Sequence, residues 1–110
     1  MNNIKNDIFI KAMLGGMDKL DAYNLAYEPN ISVERMEEDI NILLNNKVVK
    51  KRYKELKNRY KYLNEEDKKV DLLISFKKLI MFDIEENGLN DKNSKQFLAI
   101  TKSLSELSNI

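Results

Sequence analysis

The chain has 110 residues, 34% of them charged, and its 19 Lys and Arg nearly balance 18 Asp and Glu for a formal net charge of +1. It holds no cysteine and no histidine, which excludes disulfides, thiolate or imidazole metal sites and the commonest acid–base and nucleophilic catalysts. With three glycines, one proline and no apolar run long enough to span a membrane, long helices are the expected structure and an all-α domain the expected class.

The start, Met1-Asn2-Asn3-Ile4-Lys5, lacks the continuous apolar stretch of a secretion signal, so the cytoplasm is the expected compartment. A first helix carrying Phe9 is expected to stop at Gly15-Gly16. From Asp18 to Tyr27, residues Ala22, Leu25 and Ala26 share one helical face, and their small size lets another helix cross closely. Pro29 then breaks the pattern, because it disfavours helical geometry at Glu28 and cannot continue the hydrogen-bond ladder. Ser32 is placed to cap the next helix, with Glu34 in its positive first turn and Ile31 able to staple against Met36. In that helix Val33, Met36, Ile40, Leu43 and Leu44 recur at steps of three and four, which buries one face and leaves the other to solvent or a ligand. Two short helices joined by a turn are the geometry of a helix-turn-helix.

The small net charge conceals a strong partition. Residues 17–45 carry Lys19 and Arg35 against seven carboxylates, whereas residues 46–63 carry Lys47, Lys50, Lys51, Arg52, Lys54, Lys57, Arg59 and Lys61 against Glu55 alone. Within the second stretch Val49, Tyr53, Leu56, Tyr60 and Leu63 form an apolar stripe beside the cationic stripe Lys50, Lys54, Lys57 and Lys61. A basic helix over 47–63 is therefore expected to pack on one side and to offer charge on the other, either to phosphates or as a solvated or self-paired face.

Asn64 can cap a helix over 65–87 whose first turn holds Glu65, Glu66 and Asp67, a start signal rather than a metal site. Its body from Val70 to Ile84 is apolar over far more than one stripe. Leu72, Phe76, Leu79, Ile80 and Phe82 are accordingly candidates for contact between copies of the chain, the alternative being a central helix wrapped by the others. Gly88 is a natural C-cap, Asp91 or Asn93 can open a last helix over 92–108 in which Phe97, Ile100, Leu104 and Leu107 recur, and the Ser-rich end 103–110 can fray or dock.

Phe9 in a first helix, the Gly15-Gly16 break, DAYNLAY at 21–27, a helix ending in LLNN at 43–46 and KVVKKRYKELKNR at 47–59 together resemble the small subunit of tailed-phage terminases, the DNA-packaging recognition protein. The resemblance covers roughly the first half of the chain. It implies an N-terminal DNA-recognition part over 1–46, an association part over 47–110 and about five helices in all. It also implies a homo-oligomer, commonly a ring, in the bacterial host cytoplasm, which recognises double-stranded viral DNA and recruits and regulates the large terminase subunit that carries ATPase and nuclease.

Lys47, Lys50, Lys51, Lys54 and Lys57 are the leading candidates for phosphate contacts, followed by Lys19, Ser32 and Arg35. Base reading by the helix after Ser32 faces an obstacle, because Glu34, Glu37 and Glu38 point outward beside Asn41 and repel phosphate unless cations are supplied nearby. A dimeric helix-turn-helix transcription regulator and an adaptor that never touches DNA are the rival readings. No phosphate-cradling glycine loop is present, and carboxylate pairs such as Glu34/Glu38 or Asp83/Glu86 are ordinary on charged helices. No catalytic residue, metal or cofactor is expected.

Overall fold

Ile8, Phe9 and Ile10 are all fully shielded from solvent although they are consecutive, which a helix permits only when neighbours enclose it on several sides. They lie on α1 (Asn3–Leu14), and the enclosing elements are α2 (Lys19–Tyr27), α4 (Lys47–Tyr60) and α5 (Glu65–Asn87). Between α2 and α4 runs α3 (Val33–Asn45), which packs on both, and α6 (Asp91–Ser108) folds back along α5. The computed structural model describes residues 3–108, all-helical with no strand among them. Met1-Asn2 and the tip of the Ser-rich end, 109–110, lie outside the described residues.

Among the described residues there are six helices rather than about five, because local capping ends each segment before the next begins. At the end of α1 the Gly16 N–H donates to the Met13 carbonyl and the Met17 N–H to the Ala12 carbonyl, both at 3.0 Å. That pair of bonds needs a left-handed residue, and Gly16 supplies it at φ 103. The Asp18 carboxylate then caps α2 through the Leu20 N–H. α2 ends on Glu28, whose φ of 46 is left-handed without being glycine, just before Pro29. Ser32 caps α3 through the Arg35 N–H, as its position in the sequence indicates. Asn46 separates α3 from α4: its N–H donates to the Leu43 carbonyl, and its side-chain oxygen accepts from Val48 and Val49.

The basic helix stops at Tyr60, short of the expected residue 63. Asn64 must be extended to cap α5, which it does through the Asp67 N–H at 2.8 Å. The residues before it therefore reverse direction, with the Tyr62 and Leu63 N–H groups donating to the carbonyls of Arg59 and Tyr60. The last helix begins at Asp91, one residue early, for a different reason. Asn90 and Asn93 each accept the other's backbone N–H, at 2.8 and 2.9 Å, a reciprocal cap. The Asn93 side chain, 1% exposed, also donates to the Gly88 carbonyl and to the Asp83 carboxylate. One asparagine thus locks the α5–α6 turn, beside Gly88 at φ 80.

A single core crosses the position 46/47 boundary: Ile8, Phe9, Ala22, Ala26, Met36 and Ile40 from one side meet Val49 and Leu56 from the other. Phe9 and Tyr23 meet edge to face at 6.1 Å, and Tyr27 donates to Asn6. The wide apolar surface of α5 is covered in part within one chain, by α1 and by α6, and Ile74, Met81 and Phe82 remain exposed. Leu72, Phe76 and Leu79 pack partly buried against the core and Ile80 is buried, while Phe82 stays 53% exposed. Among the described residues no helix is long and apolar enough to cross a membrane.

Candidate nucleic-acid interface

The stripe that anchors α4 is the one the spacing indicates: Val49, Leu56 and Tyr60 are buried and Tyr53 half-buried. That fixes the direction in which every other side chain of the helix points. At 100° per residue, Lys47, Lys50, Lys54, Lys57 and the following Lys61 fall within roughly 80° of arc, with Lys51 about 40° beyond it. All six are exposed. From Lys47 to Lys57 the row runs about 15 Å, the axial length of roughly four phosphates on one strand of B-DNA.

The two arginines of the same helix point elsewhere and are occupied. Arg52 forks on Asp7 of α1, with Nε to Oδ1 and a terminal nitrogen to Oδ2 both at 2.9 Å, and it also reaches Glu55 at 3.4 Å. Its hydrogen bonds to the Asp7 carboxylate hold the Arg52 guanidinium above even its ordinary high pKa, with burial opposing. Arg59 lies 2.7 Å from Asp71 of α5. A planar fork suits such bidentate pairing, whereas a lysine is a point charge on a flexible stem. On this helix the cations are sorted accordingly: among the described residues none of Lys47, Lys50, Lys51, Lys54, Lys57 and Lys61 makes an ion pair, and Glu55 is taken by Arg52.

Helix stability favours only the C-terminal end of this row, where Lys57 stands in the last turn of α4. The first turn of α4 has no acidic residue and begins with Lys47, so its charge adds to the positive end of the helix dipole instead of offsetting it. Lysines at three- and four-residue spacing also repel one another. The positive potential of the face is therefore maintained at some cost to the isolated helix, and any polyanion relieves that cost.

A buried network holds α4 in place. Lys11, only 7% exposed, reaches Asp71 Oδ2 at 3.2 Å and donates to Ser75 Oγ at 2.7 Å, and the Tyr60 hydroxyl donates to the same Asp71 oxygen at 2.6 Å. Burial pushes the Asp71 carboxyl up, but the Tyr60 hydrogen bond and the charges of Lys11 and Arg59 outweigh it and hold the group below the usual carboxylate range. Burial also pushes the Tyr60 hydroxyl well up, reinforced by Asp71. Nothing in the sequence marks Lys11 as buried, since its partner lies in the other half of the chain.

Of the remaining candidates, Lys19 is brought beside the row. It lines a cleft of about 280 Å³ with Lys50, Tyr53, Val49, Leu44 and Met13, where the start of α2 meets the α3–α4 junction. Ser32 and Arg35 are not brought to it. They sit at the far end of α3, some 15 Å or more along its axis from Asn46, and the Ser32 hydroxyl is engaged as a cap. The outward face of α3 is acidic: Glu34, Glu37 and Glu38 are exposed, and Asp39 accepts a hydrogen bond from Tyr23. Among the described residues no group of three or more acidic side chains is arranged to hold a metal. Comparison with protein-family models, with curated proteins and with solved structures gives no match to the chain.

Proposed function

We propose that the chain is a non-catalytic DNA-binding subunit whose lysine row on α4 holds the phosphates of double-stranded DNA, with Lys47, Lys50, Lys51, Lys54 and Lys57 as the contacts and Lys19 at their flank. The observation that carries this reading is the sorting of cations on one helix: its arginines are paired with carboxylates, and its lysines are exposed and, among the described residues, unpaired. Such a face attracts duplex through counterion release without reading its sequence. Together with the resemblance of the first half of the chain, it supports a phage terminase small subunit that assembles as a homo-oligomer, engages viral DNA and regulates the large ATPase and nuclease subunit.

A dimeric transcription regulator is the weaker reading, because it requires α3 in the major groove and that helix presents carboxylates. Light scattering and duplex binding in dilute buffer test the proposal together. An assembly larger than a dimer that retains duplex is expected. A twofold dimer with one tight palindromic site favours the regulator, and a chain that ignores DNA leaves only the adaptor.

A further inference from the structure

We infer that Tyr62 is a stacking site for an unpaired nucleobase at the end of the lysine row, so that this face favours strand ends and single-stranded segments over uninterrupted duplex; the inference rests on the nucleic-acid reading of α4 above. Tyr62 is 88% exposed, the most exposed large hydrophobic side chain among the described residues, whereas Tyr23 and Tyr60 are buried and Tyr27 and Tyr53 half-buried. Its backbone is anchored by the Tyr62 and Leu63 N–H groups on Arg59 and Tyr60. The ring is thus presented from a fixed turn, and the packing of the fold does not require an aromatic there.

Charge on either side of the ring specifies what can meet it. Lys50, Lys54, Lys57 and Lys61 precede it along the chain, all exposed, and Lys61 adjoins it. Three residues further on, the first turn of α5 exposes Glu65, Glu66 and Asp67, of which, among the described residues, only Glu65 has a cationic partner, Lys68 at 3.2 Å. A strand following the lysines therefore meets carboxylates within about one Debye length of the ring, where its phosphates are repelled. A base is neutral, and every base has a face that stacks on an aromatic ring. Continuous duplex keeps its bases stacked inside and cannot use Tyr62. An unpaired base can turn out onto the ring while its phosphates turn away. Arg59 does not substitute for the ring, being held by Asp71.

The test is fluorescence anisotropy of the whole chain with labelled oligonucleotides of about twenty nucleotides: blunt duplex, the same duplex with a short overhang, and the single strand. Wild type is expected to bind the unpaired forms about fivefold or more tightly than blunt duplex, the scale of one base–aromatic stack. Tyr62→Ala should remove that preference and leave blunt-duplex affinity unchanged. Tyr62→Trp should keep it and, as the chain has no other tryptophan, report stacking by quenched indole emission on the overhang alone. A preference that survives Tyr62→Ala, or its absence in wild type, overturns the inference while leaving the lysine face standing. Binding indifferent to Lys50→Glu with Lys54→Glu overturns the lysine face, and the stacking site with it.

Discussion

Lys11 and Asp71 meet 3.2 Å apart, and through them one carboxylate oxygen ties α1 to α5 while Arg59 and the Tyr60 hydroxyl bring α4 to the same atom. Removing the shared acceptor leaves a nearly buried ammonium without a counter-charge. Asp71→Ala is therefore expected to cost about 3 kcal/mol of unfolding free energy. Lys11→Met, which keeps an apolar stem of similar length while Asp71 retains two donors, should cost about 1 kcal/mol or less. Denaturant unfolding of both variants checks the order, and a larger loss in Lys11→Met would contradict the shared-acceptor description.

The same network sets a pH profile. The folded-state value of Asp71 lies below its ordinary 3.8, so its contribution is present above about pH 4 and lost as pH falls through the lowered value. Asp71→Asn should flatten that acid limb. On the alkaline side burial, with neighbouring Asp39, Tyr23 and Asp71 respectively, raises the hydroxyls of Tyr23, Tyr27 and Tyr60 above 10.0, Tyr27 to about 12. The folded chain keeps those protons while the unfolded chain releases them, so stability falls above about pH 10. Lys11 acts in the opposite sense, because burial outweighs Asp71 and lowers it below 10.5, but it is one group against three. Urea melts across the range should show a net alkaline fall.

Asn93 is the counterpart of this network at the far end of α5. It is almost fully buried, and all its polar atoms have partners in Asn90, Asp83 and Gly88. Asn93→Ala strands the Gly88 carbonyl and the Asn90 N–H, and is expected to cost about 1–3 kcal/mol. In a chain of this size each kcal/mol corresponds to roughly 4 °C in Tm. Thermal melting that leaves Tm in place would show that the α5–α6 turn does not depend on the asparagine.

Glu28 gives a change of opposite sign. It caps α2 in the left-handed region at φ 46, a conformation that costs a side-chain-bearing residue about 1 kcal/mol, and its ion pair with Lys92 is long, at 3.6 Å, and exposed. Glu28→Gly should therefore raise stability slightly, by about 1 kcal/mol or less once the unfolded-state entropy of glycine is set against it. A clear loss in denaturant unfolding would assign the Lys92 pair a weight its geometry does not suggest.

What could be read from the residues was the local part of the structure. Ser32, Asn64 and Gly88 cap helices because each acts on backbone within a few residues, and the stripe from Val49 to Tyr60 faces inward because its spacing leaves one direction to pack. Long-range choices were not legible. Lys11 reads like any surface lysine until α5 brings Asp71 to it, and Arg52 reads as part of the basic face until α1 places Asp7 beneath its fork. Asn46 closes the LLNN run in the sequence, yet in the fold it is the cap that starts α4. In α5, excess apolar length suggests a partner chain; within one chain Leu72, Phe76 and Leu79 are packed partly buried and Ile80 is buried, while Ile74, Met81 and Phe82 stay exposed. The exposed ring of Tyr62 has no signal in the sequence either, since it lies outside the stripe of Val49, Tyr53, Leu56, Tyr60 and Leu63 and belongs to no spacing pattern.

The salt dependence of duplex binding tests most directly whether the α4 lysines meet phosphate. With about 0.9 counterions released per neutralised phosphate, five lysines predict a slope of log affinity against log salt of roughly −4 to −5. Lys50→Glu with Lys54→Glu should make it shallower by about two, whereas Arg52→Gln, which removes a cation already held by Asp7, should leave it unchanged. A slope that the paired lysine changes do not alter, or that Arg52→Gln reduces as much, would contradict the assignment of the exposed lysines as the DNA-contacting surface.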